Sequence, residues 1–145
     1  MKLTINQSPE VSETEVIITC SIVSPGLQKI IDSLRALDFT LSGRKEDAWF
    51  RIPVEKILYI DSVDGRSFIY SAGSCYESKA KLFELEEQLK NMSFLRISKN
   101  TIVNLRALKQ ARPLELAKME VQLKNGEKLI VTRHYVNDFK NAFGI

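Results

Sequence analysis

Histidine and cysteine are scarce in this chain of 145 residues, which contains one His and two Cys. Cys20 and Cys75 lie far apart in the sequence and form neither a CxxC pair nor a Cys/His cluster, so zinc-site spacing is absent. No GxSxG, GxGxxG or P-loop motif occurs, and His134 is the only imidazole that could act as a base. We therefore predict that the protein is not an enzyme and binds no metal ion and no cofactor.

Long apolar runs are also missing, because no stretch reaches the roughly 18 residues of a membrane span. The first residues lack the apolar core and cleavage site of a signal peptide. Without a secretory signal, we expect Cys20 and Cys75 to be free, buried thiols and the protein to be cytoplasmic, with no membrane insertion. The length and the 44% hydrophobic content suit one well-packed domain with a small appendage.

Positive charge is concentrated in the last third of the chain. Residues 96–145 carry ten Lys and Arg against four Asp and Glu, whereas residues 1–45 carry five of each sign and residues 46–95 carry six basic and nine acidic side chains. A basic segment on a near-neutral body is typical of a protein that binds a polyanion. The alternative is a solvated Lys/Arg surface with no partner.

The first 44 residues predict a small β-β-α extension. Residues 2–7 alternate apolar and polar side chains, and residues 15–20 are rich in β-branched residues, so both are expected to be strands. Ser24 and Pro25 form a helix-start signal, and apolar residues at spacings of three and four follow to residue 37. This extension is expected either to pair subunits or to complete the sheet of the following domain, residues 45–145.

The patterns after residue 39 predict a mainly β fold, α+β overall, of elongated antiparallel sheets with one short amphipathic helix. Hairpins are expected around a polar turn at residues 43–47, at Asp64-Gly65 and at Asn125-Gly126, the last as a type I′ turn with two positive-φ residues. Ser78 is the expected cap of the amphipathic helix. Its predicted apolar face comprises Leu82, Phe83, Leu85 and Leu89, and its acidic face comprises Glu84, Glu86 and Glu87. A last helix is expected within residues 133–143.

Three polar tips follow apolar strands and are the candidate binding residues. Residues 94–104 alternate apolar and polar side chains but are interrupted at Ser98, Lys99 and Asn100. Lys can donate to guanine or to phosphate, Asn can pair with adenine, and Ser can bond to either. The other two tips are Arg66-Ser67 and Arg133-His134. Taken singly, each tip has an ordinary structural explanation, since strand ends often carry Lys and Arg; Asn104 is expected to bond to backbone rather than to a base.

Four blocks in register, residues 57–65, 76–86, 94–104 and 121–135, resemble the LytTR-type DNA-binding domain of bacterial transcription regulators. The resemblance covers about residues 45–145. It implies antiparallel sheets whose loops, rather than a recognition helix, contact the major groove of double-stranded DNA. It also implies binding at paired direct repeats, by a homodimer or by paired monomers, and bending of the DNA.

The resemblance carries site roles onto specific positions, namely Arg66 or Ser67, then Lys99 with Ser98 and Asn100 beside it, then Arg133 with His134 next to it. A receiver domain of about 120 residues precedes this domain in many relatives, whereas only about 45 residues precede the match here. We therefore expect a stand-alone regulator. The sequence does not name its input signal, and a membrane protein encoded nearby would indicate where the signal arrives.

Two alternative functions remain open from the sequence. The acidic helix face at Glu84, Glu86 and Glu87 would suit an interaction module that titrates a protein partner without binding DNA. RNA binding is a third interpretation, but the proposed tips contain few of the aromatic residues on which unpaired bases stack.

Overall fold

The computed structural model describes residues 1–145 and contains ten β-strands and three α-helices. The helices are α1 (Pro25–Ala36), α2 (Leu82–Gln88) and α3 (Val136–Phe143). The strands are β1 (Thr40–Lys45), β2 (Ala48–Pro53), β3 (Ile57–Val63), β4 (Arg66–Ser71), β5 (Ser74–Ser78), β6 (Phe94–Arg96), β7 (Thr101–Asn104), β8 (Leu108–Pro113), β9 (Met119–Leu123) and β10 (Lys128–Val131). None of the helices combines the length and the apolarity that a membrane span requires.

The strands form two antiparallel sheets, which confirms the predicted mainly β fold. Seven strands follow the order β2-β1-β5-β4-β3-β7-β6, and the remaining three follow the order β10-β9-β8. Strands that follow one another in sequence pair in most cases, because short turns favour hairpins over crossovers.

Alternation of side chains along the central strands gives the large sheet two apolar faces. Ile60 of β3 and Ile102 of β7 face a first core, which also receives Leu82, Leu85 and Leu89 from α2 and its C-terminal end. Neighbouring residues face the other way: Val103 belongs to a second core, formed with the small sheet and with Phe139 of α3. The small sheet and α3 are therefore packed against the opposite face of the large sheet from α2.

The three predicted hairpins are present, but two of the turns differ from expectation. Asp64 and Gly65 have φ values of 53° and 75°, as a type I′ turn requires. At the second hairpin only Gly126 has positive φ, and the Leu123 N–H donates to the Glu127 carbonyl at 2.8 Å. The predicted type I′ turn is wrong there, because one extra residue makes a longer loop in which Gly126 alone occupies the left-handed region.

The first hairpin turns at Glu46 and Asp47, both with positive φ, and Gly43 lies inside β1 instead of in the turn. A Cβ atom at Gly43 would lie 2.6 Å from the Tyr76 Cβ and 2.9 Å from the Ile52 Cδ1. Glycine is required here by the close packing of Tyr76 and Ile52, which the sequence pattern did not reveal.

Helix α2 begins later than predicted and buries fewer residues. Its N-cap is Lys81 rather than Ser78, and the Glu84 carboxylate accepts a hydrogen bond from the Lys81 N–H at 3.0 Å. Phe83 is 69% exposed, so its assignment to the apolar face is wrong. The helix has only two turns, and its buried side chains are Leu82 and Leu85, which the adjacent Leu89 joins.

The N-terminal extension contains its predicted helix but not its two predicted strands. The Ser24 hydroxyl accepts from the Leu27 N–H at 3.2 Å and Pro25 occupies the first turn, as expected for α1. Residues 2–7 and 15–20 adopt neither strand nor helix. High β-propensity does not form a strand unless a partner accepts its backbone hydrogen bonds, and no strand of this chain does so. Residues 40–44, assigned to the extension, lie in the large sheet as β1.

Two further expectations concern single side chains. Cys20 and Cys75 are free, as predicted, but both are exposed, so their predicted burial is wrong; Cys20 lies in the uncovered N-terminal segment and Cys75 on β5. Asn104 is buried and bonds to backbone as expected. Its amide donates to the Ile57 carbonyl at 2.8 Å, and its side-chain oxygen accepts from the Arg106 N–H at 3.0 Å.

The Tyr59 hydroxyl joins the two sheets by donating to the Glu127 carboxylate at 2.9 Å. Burial, and then this hydrogen bond, raise the pKa of Tyr59 well above its ordinary value. Tyr59 also stacks on Tyr70 with 4.5 Å between the ring centroids. The hydrogen bond to Glu127 fixes the small sheet on the large one, and the stacking on Tyr70 holds the Tyr59 ring within the large sheet.

Candidate nucleic-acid interface

Strand pairing brings the predicted polar tips to one end of the molecule. Asp61 of β3 is opposite Thr101 of β7, so the turn after β3 and the loop before β7 lie side by side. The Ser62 N–H donates to the Asn100 carbonyl at 2.8 Å, which fastens that loop to the neighbouring strand. The turn at residues 64–65 and the loop at residues 97–100 therefore share one end of the large sheet.

The small sheet adds two more connections at this end. The Thr132 N–H donates to the Ile97 carbonyl at 2.9 Å, so residues 132–134 lie directly beside the loop at residues 97–100. Met119 is opposite both Val131 and Pro113, which brings the connection at residues 114–118 to the same end. We call residues 64–66, 97–100, 114–118 and 132–134 the loop end.

Lys99 is an exposed predicted contact in the loop end. Lys99 and Asn100 are exposed, whereas Ser98 is half-buried and its hydroxyl accepts from the Asn100 N–H at 3.2 Å. The Lys99 ammonium forms no ion pair or hydrogen bond with another side chain. Ser98 thus shapes the loop from within, while Lys99 and the Asn100 amide are available to a ligand.

Arg96 holds this loop in place, a role that the sequence patterns did not reveal. Its guanidinium donates to the Ser98 carbonyl at 3.0 Å and to the Lys99 carbonyl at 2.6 Å. Its third contact is an ion pair with Glu86 of α2 at 2.8 Å. The side chain is 19% exposed, so Arg96 acts as a strap between helix and loop, and its charge is already paired.

Arg133 and His134 are exposed at the loop end, as predicted. Arg133 also lines a shallow groove between the connection at residues 114–118 and α3, together with Lys118 and Lys140. None of these three cations has an acidic partner. Lys118 and Lys140 were missed as individual residues, although the excess of basic residues in the last third of the chain was a signal for them.

The Arg66-Ser67 tip differs from the other two. The Arg66 guanidinium donates to both carboxylate oxygens of Glu77, at 3.1 Å and 2.7 Å, so its charge is neutralised on the sheet. Ser67 is 2% exposed in the middle of the large sheet, where a bulky ligand cannot reach its hydroxyl. The structure therefore provides no accessible contact at Ser67, because it is the residue of the strand that points into the first core.

The profile of the LytTr DNA-binding domain matches residues 47–144, which is more than half of the chain. The chain belongs to the LytTr DNA-binding domain family. The fold agrees, since a solved LytTr DNA-binding domain from Bacillus cereus superimposes with a TM-score of 0.69 at 24% identity, covering 73% of this chain and 97% of that one.

Regulators with longer chains are similar in sequence to this LytTr protein. The sensory transduction protein LytT of Bacillus cereus is 26% identical over 117 residues, covering 77% of this chain and 48% of its own length. The transcriptional regulatory protein LytR of Staphylococcus aureus is 27% identical over 108 residues, covering 74% of this chain and 44% of its own. The chain thus spans about half the length of the curated relatives that it matches.

The chemistry available at the loop end of this LytTr domain is that of anion binding. Lys99, Lys118 and Arg133 have no acidic partner there, and the Asn100 amide is free, whereas Arg66 is paired with Glu77. Asp64 and Glu115 are the acidic residues of the loop end, and strand pairing and Arg96 hold its connections in place. No cluster of three or more His, Cys, Asp or Glu side chains is present that could hold a metal ion. The family and the fold are those of a DNA-binding domain rather than of an enzyme.

Proposed function

We propose that this chain is a sequence-specific, double-stranded DNA-binding regulator of transcription, and that its loop end enters the major groove. The observation that carries the proposal is the convergence of Lys99 and Arg133, both exposed and both unpaired, on adjoining connections held by the hydrogen bond from Thr132 to Ile97. Lys and Arg donate to the guanine acceptors that line the major groove, and the Asn100 amide suits adenine.

We assign the affinity for DNA and the preference for its sequence to different residues. Lys118 and Lys140, at the groove beside the loops, would contact phosphates and supply binding energy without sequence information. Lys99, Asn100 and Arg133 would contact base edges. Arg66 is not included among the base contacts, because Glu77 already occupies its guanidinium.

We also propose that two copies occupy paired direct repeats. Two copies on the same face of the duplex require repeat centres about one helical turn, or a multiple of it, apart. Signal input from a membrane protein encoded nearby stays a prediction.

The experiment is selection of bound sites from random DNA, followed by affinity measurements at two salt concentrations. Lys99→Ala and Arg133→Ala should each lose roughly 1–3 kcal/mol on the preferred site and relax preference at one position. Lys118→Ala and Lys140→Ala should weaken binding to all sequences and lower the magnitude of the salt slope by about one.

Lys124→Ala is the matched control, because Lys124 is an exposed lysine on the turn after β9, at the far end of the small sheet. Its removal changes the net charge by the same amount as removal of Lys99. If Lys124→Ala and Lys99→Ala lose the same affinity for the preferred site, binding depends on overall charge and the assigned interface is wrong.

A second candidate function is a protein-interaction module, favoured by the exposed Phe83 beside Glu84 and Glu87 on α2. Aromatic residues are enriched in protein interfaces, and the acidic neighbours of Phe83 would select a basic partner. Glu86 is less available, since it pairs with Arg96. Absence of any complex with DNA at low salt would favour this function over the first.

A further inference from the structure

The N-terminal arm, defined as residues 1–23, carries apolar side chains that no part of the chain covers. All of its residues are exposed, and Leu3, Ile5, Ile17 and Ile22 are 78–80% exposed. Residues 12–23 make no backbone–backbone hydrogen bond. The arm therefore combines uncovered apolar surface with unpaired backbone, which are the two requirements of a strand that pairs with another chain.

The composition of the arm indicates what would cover it. Residues 16–23 contain no charged side chain, and six of the eight are Val, Ile or Thr, the residues that favour strands. The whole arm carries one Lys and three Glu, so it attracts neither DNA nor an anionic membrane. Two identical uncharged stretches can pair as antiparallel strands without placing like charges opposite each other.

Helix α1 extends this surface with a partly uncovered stripe. Ile30, Leu34 and Leu37 share one side of the helix and are 44%, 38% and 62% exposed, and α1 has no fully buried residue. Five more apolar residues in positions 16–23 are 39–78% exposed. Taking roughly 60–120 Å² for each apolar side chain, these eight expose on the order of 400 Å² per copy. A standard interface buries about 800 Å² per partner, of which somewhat over half is apolar.

Helix α1 lies at the opposite end of the molecule from the loop end, and the arm joins α1 at its N-terminal end. Helix α1 leads into Thr40, which is opposite Pro53, whereas the other end of β1 turns at Glu46 towards the loop end. The Arg106 guanidinium, which follows the far end of β7, donates to the Ser33 hydroxyl of α1. A contact through α1 would therefore leave the loop end free.

We propose that residues 16–23, together with the Ile30–Leu34–Leu37 stripe of α1, associate with the same surface of a second copy of this chain. Strand pairing between two arms is two-fold symmetric, whereas two domains on direct repeats are related by translation along the DNA. Residues 12–23 form no backbone hydrogen bond with the packed body, so pairing of the arms alone can persist on direct repeats. The contact through α1 is two-fold symmetric and cannot form there, because Arg106 ties α1 to the body. The association of two copies does not depend on the proposed function; only the effect of that association on DNA binding rests on it.

Sedimentation velocity over a concentration series tests the association. The parent chain should be a dimer, and Ile17→Asp/Ile22→Asp should raise the dimer dissociation constant at least tenfold, because charges would enter an apolar contact. Leu116→Asp is the matched control, since Leu116 is 80% exposed but lies outside the arm, and it should leave the dimer unchanged. A monomeric parent, or a dimer that the arm variant does not weaken, overturns the proposal.

Covalent trapping gives a second, independent measurement. In the Cys75→Ser background Cys20 is the only thiol, and it lies inside the pairing stretch. A short bis-maleimide should then give a covalent dimer, which Ile17→Asp/Ile22→Asp abolishes. Failure to trap a dimer through Cys20 contradicts pairing of the arms.

DNA binding separates this proposal from the proposed function. The arm variant should bind a single selected site as tightly as the parent and lose only the cooperative gain on two sites. Loss of single-site binding would assign the arm to the DNA interface and overturn the proposal. A parent that dimerises through the arm but binds no DNA would refute the proposed function while leaving the association intact.

Discussion

Arg96 could hold the loop through the shape of its guanidinium or through its positive charge alone, and one substitution distinguishes the two. Arg96→Lys keeps the positive charge but lacks the planar fork that reaches the Ser98 and Lys99 carbonyls together while pairing with Glu86. If the fork holds the loop, the lysine variant should bind the preferred DNA site almost as poorly as Arg96→Ala.

The magnitude follows from the three contacts. Each hydrogen bond from the guanidinium to a loop carbonyl contributes about 1–1.5 kcal/mol net, because both carbonyls regain water when it is lost. The ion pair to Glu86, whose side chain is 47% exposed, adds roughly 0–1 kcal/mol. The three contacts of Arg96 thus stabilise the ordered loop by about 2–4 kcal/mol. A variant loop recovers part of this free energy by adopting other conformations that still bind DNA. We expect a loss of about 1–2 kcal/mol in specific binding, or roughly fivefold to thirtyfold in Kd.

The assay is titration of labelled preferred and scrambled DNA at several salt concentrations. For Arg96→Lys and Arg96→Ala, specific affinity should fall while the salt slope stays at the parental value, because Arg96 contacts no phosphate. Glu86→Gln is the control that removes the ion pair but keeps both carbonyl contacts, and its loss should be small. If Arg96→Lys binds the preferred site as tightly as the parent, and Arg96→Ala lowers the magnitude of the salt slope by about one, then Arg96 contacts a phosphate and does not act by holding the loop.

Three further predictions concern stability. Asn104→Ala should lower the free energy of unfolding by about 1–3 kcal/mol, measured by urea denaturation, because the buried Ile57 carbonyl loses its partner; its sequence preference on DNA should not change. Gly43→Ala should cost roughly 1–3 kcal/mol in the same assay, since its Cβ would overlap Tyr76, and an unchanged midpoint would contradict that packing. The hydrogen bond from Arg112 lowers the pKa of Glu120. This carboxylate therefore contributes stability at neutral pH, and the contribution is lost as the pH falls through the lowered pKa. Glu120→Gln should lose less stability than the parent between neutral and acidic pH.

The hairpin-rich body was predictable because its signals are local. Asp64-Gly65 encodes a turn within two residues, and alternation around Lys99 encodes a strand that ends at a polar tip. The cap at Ser24 was equally local. Where the decisive neighbour is distant in sequence, the prediction failed. Gly43 was placed in a turn because its real constraint is Tyr76, which lies on another strand.

The sequence by itself determined the type of fold, the basic character of the last third of the chain and the accessible tips at Lys99 and Arg133. These properties depend on composition and on short-range backbone preferences, which a chain carries before it folds. Only the tertiary structure decided that Ser67 is buried, that Glu77 occupies Arg66, that Arg96 holds the loop and that residues 2–7 and 15–20 form no strand. Each of these outcomes depends on which residues become neighbours across the sheets, and pairing between strands is settled by packing of the whole chain rather than by any one segment.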